Sequence, residues 1–383
     1  MLCKICGKEN CDRHGFFIGK PVKLEQFSGS SPPEVFIGRW GYPRVYTGIL
    51  SPPEYGDTAV LTSAELWHAR KLGIQEILAQ RQKLIYGRTQ QSIKQLGTKF
   101  LGVLKEVAMT HKPIAAEFQL KKGILPHKEQ ASNVPLIPRA AEVKHVKLQE
   151  NPEVHKKVDY LVQDTDALAQ TALLELDKTG LQTSLLSKLL SAGLLGQGFR
   201  RKLVPTRWSI TAVDDMLSKD KLKRIRFFPE LNEICVFNAE YVGNHYEFLL
   251  LPGVWSFEVI ELSNHGVWHD YETHFPRKNY ADEVTGAYYA NRLAVTEYLE
   301  KIGKQAVCLV FREVRAEYSA PLGVGILRQT SREAFSKPPE KFSTLNEAYA
   351  SIRSRLRFPL DSFLGKSVLL QDYGKQKKLQ DFF

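Results

Sequence analysis

The segment "EICVFNAEYVGNHYEFLLLPG" (233–253) constrains the fold more than any other part of the chain. Two apolar–aromatic runs flank Gly243-Asn244, a dipeptide suited to a two-residue hairpin turn. An antiparallel sheet is therefore expected from about residue 225 onward. "VWSFEVIEL" (254–262) alternates and reads as a further strand, and "KQAVCLVFREVRAEY" (304–318) is apolar enough for a buried one. Helical patterns lie among these strands, at "GAYYANRLAVTEYLEKIG" (286–303) and "LNEAYASIRSRL" (345–356).

The first half reads as mainly helical. Thr62 and Glu65 fit a capping box, and Trp67, Ile74, Leu78 and Ile85 recur at helical spacing, which predicts one helix with a core-facing stripe. "DTDALAQTALLELDKTG" and "SLLSKLLSAG" predict a helical pair closed by Gly180 and Gly193. Residues 121–155 are polar and carry Pro126, Pro135, Pro138 and Pro152, so an extended, weakly structured connection is expected there. No internal repeat is visible. The predicted class is α+β: a small N-terminal zinc-binding module (1–20), a mixed core of a mainly helical part (21–195) and an α+β part (196–365), and a flexible C-terminal peptide (366–383).

A chain of 383 residues leads to an expectation of two or three domains. No apolar run approaches the roughly 20 residues that span a bilayer, and "MLCKICGKEN" lacks a signal-type apolar stretch. A cytosolic protein is expected. Lys plus Arg outnumber Asp plus Glu by 53 to 42, a net charge of +11 that favours a polyanionic partner such as DNA or RNA. Such a partner would place the protein with the nucleoid. Cys235 and Cys308 stand alone in apolar runs and read as buried strand residues.

The other three cysteines fall close together. Cys3, Cys6, Cys11 and His14 form C-x2-C-x4-C-x2-H, two close pairs that can wrap one tetrahedral zinc ion. Four ligands with no open position suit a structural site, in which metal binding supplies the folding energy of a short segment. The fourth ligand is left open between His14, Asp12 and a distant group.

Two segments suit contact with nucleic acid. In "SGSSPPEVFIGRWGYPRVYTGILSPP", Arg39, Trp40, Tyr42 and Arg44 interleave cations with aromatic rings, a pattern that stacks on bases while meeting phosphates. The alternative is a packed loop whose rings close a core edge. In "FRRKLVPTRWSITAVDD", Arg200, Arg201, Lys202 and Arg207 crowd together beside Trp208, and guanidinium forks bind phosphate. Asp214 and Asp215 in the same run fit the first turn of a helix.

Three candidates for catalysis are weaker. "HGVWHDYETHFPRKNYADE" gathers His265, His269, Asp270, Glu272, His274, Asp282 and Glu283, a density that suits Mg²⁺, Mn²⁺ or Zn²⁺, or simply a solvated loop. Asp214, Asp215, Asp270 and Glu272 are the first carboxylates to consider for a metal-dependent nuclease. "PLGVGILRQTSRE" places Gly323 and Gly325 before a helix without completing a nucleotide-binding fingerprint.

The chain ends in "QKKLQDFF". Gln376, Leu379, Phe382 and Phe383 fit Q-x-x-h-x-x-a-a, whose apolar members share one face of a single helical turn. The tail resembles the PIP box, the peptide by which replication and repair proteins bind the sliding clamp PCNA. Together with the cysteine cluster, the Ser-Pro-Pro-bracketed segment and "RRKLVPTRWSITAVDD", it makes nearly the whole chain resemble the archaeal Nre proteins, a family associated with DNA repair. The resemblance implies that Gln376, Leu379, Phe382 and Phe383 bind the clamp and that Cys3, Cys6, Cys11 and His14 fill a zinc-finger position. It implies no reaction. A clamp-tethered DNA-binding repair factor, a repair nuclease or other nucleotide-processing enzyme, and a non-catalytic adaptor to other repair proteins all remain open.

Overall fold

The computed structural model describes residues 24–126, 134–137 and 139–373. The zinc-ligand cluster and the PIP-like tail lie outside the described residues. The chain divides into two compact units, one of residues up to Val213 with Ser319–Gly325, the other of Asp214–Tyr318 with Ile326 onward.

The first unit is built on a sheet. Among the described residues its strands are β1 (Gln26–Ser31), β2 (Val35–Ile37), β3 (Arg44–Ser51), β4 (Ile85–Ser92), β5 (Ile114–Leu120), β6 (Leu125–Pro126) and β7 (Arg139–Leu148). They lie in the order β1-β5-β7-β4-β3-β2, with β6 also on β7. All neighbours are antiparallel except β4 and β7. Period 2 is clearest in β5, where Ile114, Ala116, Phe118 and Leu120 face inward. Phe118 stacks on Phe27 of β1 at 4.6 Å. The helices of this unit are α1 (Ala64–Ala69), α2 (Ile74–Gln82), α3 (Lys99–Met109), α4 (Lys156–Gln163), α5 (Ala169–Asp177) and α6 (Thr183–Ser191), followed by the start of α7 (Thr206–Ile225). Leu101, Leu104, Val107 and Ala108 form the buried face of α3, which packs on β2, β3, β7 and α6.

Three expectations fail in this unit. The weakly structured connection contains β7, an interior strand of ten residues. Its charges, Lys144, His145 and Lys147, mask the inward set Ala140, Ala141, Val143 and Val146. A register shift between Gln119 and Leu120 of β5 breaks the simple alternation further. The single helix over 62–85 is two helices and a strand. Ser63, not Thr62, caps α1 by accepting the Leu66 N–H at 3.2 Å. The chain turns at Lys71, α2 restarts with Glu76 accepting the Gly73 N–H at 2.7 Å, and Ile85 opens β4. The Gly/Pro-rich segment 26–56, whose composition predicts a structured loop followed by a short strand or hairpin, forms three strands.

The second unit follows the sequence more closely. Among the described residues its strands are β8 (Ile234–Tyr241), β9 (Asn244–Leu251), β10 (Ser256–Ser263), β11 (Gly266–Glu272), β12 (Val307–Val314) and β13 (Glu340–Phe342). Their order is β11-β10-β12-β9-β8-β13, parallel only between β10 and β12. Its helices are α8 (Gly286–Ile302), α9 (Val324–Ser336), α10 (Leu345–Arg353), α11 (Leu360–Leu364) and α12 (Val368–Asp372). Every residue of β9 is buried, because helices cover both faces. Tyr246, Phe248 and Leu250 pack with α8 on one side, and Leu249 and Leu251 pack with α10 and α11 on the other. Cys235 and Cys308 are buried strand residues, as expected.

The hairpin sits one residue earlier than its sequence signal. The loop is Val242-Gly243, with φ of 43° and 80°, and Asn244 already pairs with Tyr241. Two positive φ values give the primed turn that matches strand twist. A Cβ on Gly243 would lie 2.5 Å from the Tyr318 nitrogen, so this position needs glycine for space as well as for angle. At the other end of the unit, the fully buried Glu258 of β10 accepts from Ser367 Oγ, from the Val368 N–H at 2.8 Å and from His269 Nε2 at 2.6 Å. It thereby caps α12, and Tyr373 just beyond donates its hydroxyl to the Pro252 carbonyl at 3.1 Å.

Candidate nucleic-acid interface

Two segments more than 150 residues apart meet in the first unit. The turn between β2 and β3 closes through Gly38 N–H to the Tyr46 carbonyl and Arg44 N–H to the Gly41 carbonyl, each at 2.8 Å. Just before the turn, Ile37 donates its N–H to Thr206 Oγ1 at 2.9 Å. Just after it, the Pro43 carbonyl accepts from Ile93, whose own carbonyl accepts from Leu203 at 2.9 Å. Trp208 and Ser209 donate to the Pro205 carbonyl and start α7. These bonds bring Tyr42 and Trp208 to ring centroids 5.5 Å apart at 53°.

The rings here face outward. Trp40 is 65 % exposed, Tyr42 46 % and Trp208 44 %. The Arg39 guanidinium lies 4.9 Å from the Trp40 centroid, a cation–π contact that covers one face of the indole. In the segment leading to Leu203, Phe199 is 82 % exposed and the Arg200 guanidinium lies 5.2 Å from its ring. Arg44 and Lys202 are exposed and Arg207 is half-buried, and none of these three makes an ion pair among the described residues. Grouped aromatic exposure of this kind marks a contact surface.

Of the basic residues singled out in the sequence, Arg201 differs from the rest. Its guanidinium donates to the carbonyls of Gly196, Val162 and Asp164 at 2.7, 2.8 and 2.6 Å. Burial lowers its pKa from the usual arginine value. It ties a loop together, whereas Arg39 lies over Trp40, Arg200 over Phe199, and Arg44, Lys202 and Arg207 lie in the segments that carry the rings. Lys94, next to Ile93, is an exposed cation that motif reading passed over. Its signal is a run without acids: residues 35–53, 77–105 and 178–213 contain no Asp or Glu, and these are the stretches the fold gathers.

The carboxylates considered for catalysis lie in the second unit and are all engaged. Asp214 receives a two-pronged contact from Arg328 at 3.0 and 2.7 Å. It is not in a first helical turn, because α7 begins eight residues earlier at Thr206. Burial raises its pKa, and Arg328 opposes that shift. Asp215 pairs with Arg292 and with Lys219. Glu272 accepts from Arg292 Nη1 at 2.7 Å, the Arg277 N–H at 3.0 Å and Trp255 Nε1 at 3.2 Å. Asp270 accepts from Arg277 at 2.6 Å and from the N–H groups of Glu283 and Val284. Burial alone would lower the Arg292 pKa, but Glu272, Tyr288 and Asp215 hold it above the ordinary value. Among the described residues no group of three His, Cys, Asp or Glu side chains is arranged to hold a metal ion.

The glycines near 323 serve close packing. A Cβ on Gly323 would lie 2.7 Å from Pro135 Cδ and 2.9 Å from its nitrogen, and one on Gly325 would lie 2.7 Å from Ala64 Cβ.

The Asp214–Arg328 pair makes a testable point about these charges. Arg328→Met is expected to lower the unfolding free energy by about 3–5 kcal/mol, because a buried carboxylate loses its partner. Urea denaturation measures this. The loss should shrink as pH falls and the isolated carboxyl protonates, and Asp214→Leu in the same chain should recover most of it. A single variant as stable as the wild type would mean that the pair is not structural.

Comparison with known sequences covers nearly the whole chain, with a dividing point different from that of the two compact units. Residues 5–269 match the archaeal Nre N-terminal family and residues 272–382 the archaeal Nre C-terminal family. The seam between the two matches falls inside β11. The DNA repair protein NreA of Haloferax volcanii is 33% identical over 380 residues, covering 94% of this chain and 90% of its own. The DNA repair protein NreB of Archaeoglobus fulgidus is 34% identical over 364 residues, covering 92% of this chain and 91% of its own. NreA of the same organism is 32% identical over 373 residues, with coverage of 92% and 91%. No solved structure matches. With both family regions filled in order along its length, the chain belongs to the archaeal Nre family.

Proposed function

We propose that this chain is a DNA repair factor that contacts DNA through the surface around Trp40, Tyr42 and Trp208 and binds the PCNA sliding clamp through Gln376, Leu379, Phe382 and Phe383. The observation that carries the DNA contact is the meeting of two distant segments that bear exposed rings together with Arg44, Lys202 and Arg207, none of which makes an ion pair among the described residues. Arg39, Arg44, Arg200, Lys202 and Arg207 meet phosphates; Arg201 holds the loop that presents Arg200 and Lys202. The names of the relatives, all DNA repair proteins, support the repair role. The engagement of Asp214, Asp215, Asp270 and Glu272 by arginines favours binding over nuclease chemistry at those residues. Among the described residues no helix is long and apolar enough to cross a membrane. DNA contact would associate the protein with the nucleoid.

Removing three unpaired cations together, in Arg44→Ala/Lys202→Ala/Arg207→Ala, is expected to weaken DNA binding at least tenfold. It should also flatten the dependence of affinity on salt by roughly two to three released counterions. Titrating labelled DNA at several salt concentrations gives both values. An unchanged slope would remove this surface from the DNA contact.

For the tail, clamp attachment would raise the local concentration at clamp-loaded DNA, so modest intrinsic affinity suffices. Phe382→Ala/Phe383→Ala should abolish clamp binding, because aromatic anchors carry most of such an interface. Calorimetry against purified PCNA checks this, and heat equal to that of the wild type would reject the assignment.

Cys3, Cys6, Cys11 and His14 would hold one structural zinc, three thiolates and an imidazole being a donor set that suits tetrahedral Zn²⁺. The fold offers a clean readout. Cys235 and Cys308 are buried, and burial raises both thiol pKa values, so neither should react with a thiol reagent in the folded protein. Zinc-replete protein should show slow thiol reaction, and chelation should release about one zinc per chain and expose three reactive thiols. Three fast thiols before chelation would contradict the site.

A further inference from the structure

We propose that this surface prefers unpaired, single-stranded DNA and holds its bases by stacking on Trp40 and on the Tyr42–Trp208 pair. The proposal rests on the DNA-contact reading above and names the form of DNA that the surface takes.

The argument starts from what the rings offer. Arg39 covers one face of Trp40, while the side chain as a whole stays 65 % exposed, which leaves the opposite face free. A base placed there completes a guanidinium–indole–base sandwich. Tyr42 and Trp208 are tilted at 53° rather than stacked, so their pairing closes neither ring off, and each remains close to half exposed. In a duplex the base faces are already stacked on one another, and a protein reads the edges through the grooves with hydrogen-bonding side chains. A single strand presents base faces, and aromatic platforms flanked by cations are how proteins hold it.

The placement of the rings points the same way. Trp40 and Tyr42 lie on the short turn between β2 and β3, and Trp208 in the first turn of α7. The hydrogen bonds of Ile37 to Thr206 and of Ile93 to Pro43 and Leu203 pin both elements at their bases. The platforms are therefore held before ligand arrives, which limits the ordering cost of binding. Arg44, Lys94, Lys202 and Arg207 lie in the segments joined by those bonds, and Asp and Glu are absent from 35–53, 77–105 and 178–213. A backbone can thus follow the cations while its bases turn to the rings.

The test uses the full chain, with oligothymidylate of about twenty nucleotides and a duplex of equal length at one salt concentration. Fluorescence anisotropy gives affinities. Tryptophan emission gives a signature of stacking, because Trp67 and Trp255 are fully buried and Trp268 is half-buried against the core of the second unit, while Trp40 and Trp208 are exposed; the Trp40→Leu and Trp208→Leu variants show which ring is quenched. The single strand is expected to bind at least tenfold more tightly and to quench the emission. Trp208→Leu and Trp40→Leu should each weaken single-strand binding about 5- to 100-fold, with a clearly smaller loss for duplex. Trp208→Phe, which keeps an aromatic face, should retain most of the affinity and so separates stacking from a folding defect. Equal affinity for duplex, or equal losses on both forms, would overturn the proposal while leaving DNA contact standing. Binding to neither form at low salt would overturn the DNA reading itself. A preference for oligouridylate over oligothymidylate would overturn DNA as the ligand.

Discussion

One residue's backbone organises the candidate interface. Ile93 gives its N–H to Pro43 and its carbonyl to the N–H of Leu203, and so clips the start of β3 to a segment more than a hundred residues further on. The side chain of Ile93 is buried, so the clip cannot be replaced by water without exposing apolar surface. The contact between Tyr42 and Trp208 depends on this clip and on the Ile37–Thr206 bond. Ser191 extends the same arrangement. Its hydroxyl donates to the Val204 carbonyl at 2.7 Å and lies 3.2 Å from that of Thr206. Buried polar groups thus set the register of exposed ones.

The second unit solves a different problem, that of placing many charges in a dry interior. Arg292 and Glu258 are wholly inaccessible and Glu272 is buried, and each makes several charge-assisted bonds. Glu313 accepts from Arg315 at 2.6 Å and from the N–H groups of Arg357 and Phe358 at 2.7 Å. Such groups are costly to bury and costlier to leave unpaired. They add little net stability over a hydrophobic replacement, but they tolerate very few alternative arrangements. Carboxylates held this way make poor metal ligands, since each would first have to give up an arginine.

The two units differ in how much of them the sequence disclosed. β8, β9, β10, β12, α8 and α10 were legible because their apolar runs are long and bounded by turn residues. The hairpin was misplaced by one position because Asn244, a good turn residue, is needed in β9, where its Oδ1 accepts from Arg312 at 2.6 Å. The sheet of the first unit was largely hidden. β4 reads "IYGRTQQS" and β7 "RAAEVKHVKL", and strands this polar carry little periodic signal until their neighbours are known. The site residues on the two segments were visible as residue types. Their proximity was not, because it depends on backbone bonds that leave no trace in side-chain pattern.

The end of the second unit governs geometry at a distance. Glu258 caps α12 and Tyr373 is bonded to Pro252, so the last described turn of the chain is held in place. Gln376 follows only three residues later, and three residues extend at most about 11 Å. A partner that gripped Gln376 as proposed would hold that residue within this distance of Tyr373, while Phe382 and Phe383 could reach further. The freedom of such a partner to turn would then be set by the few residues between Tyr373 and its grip.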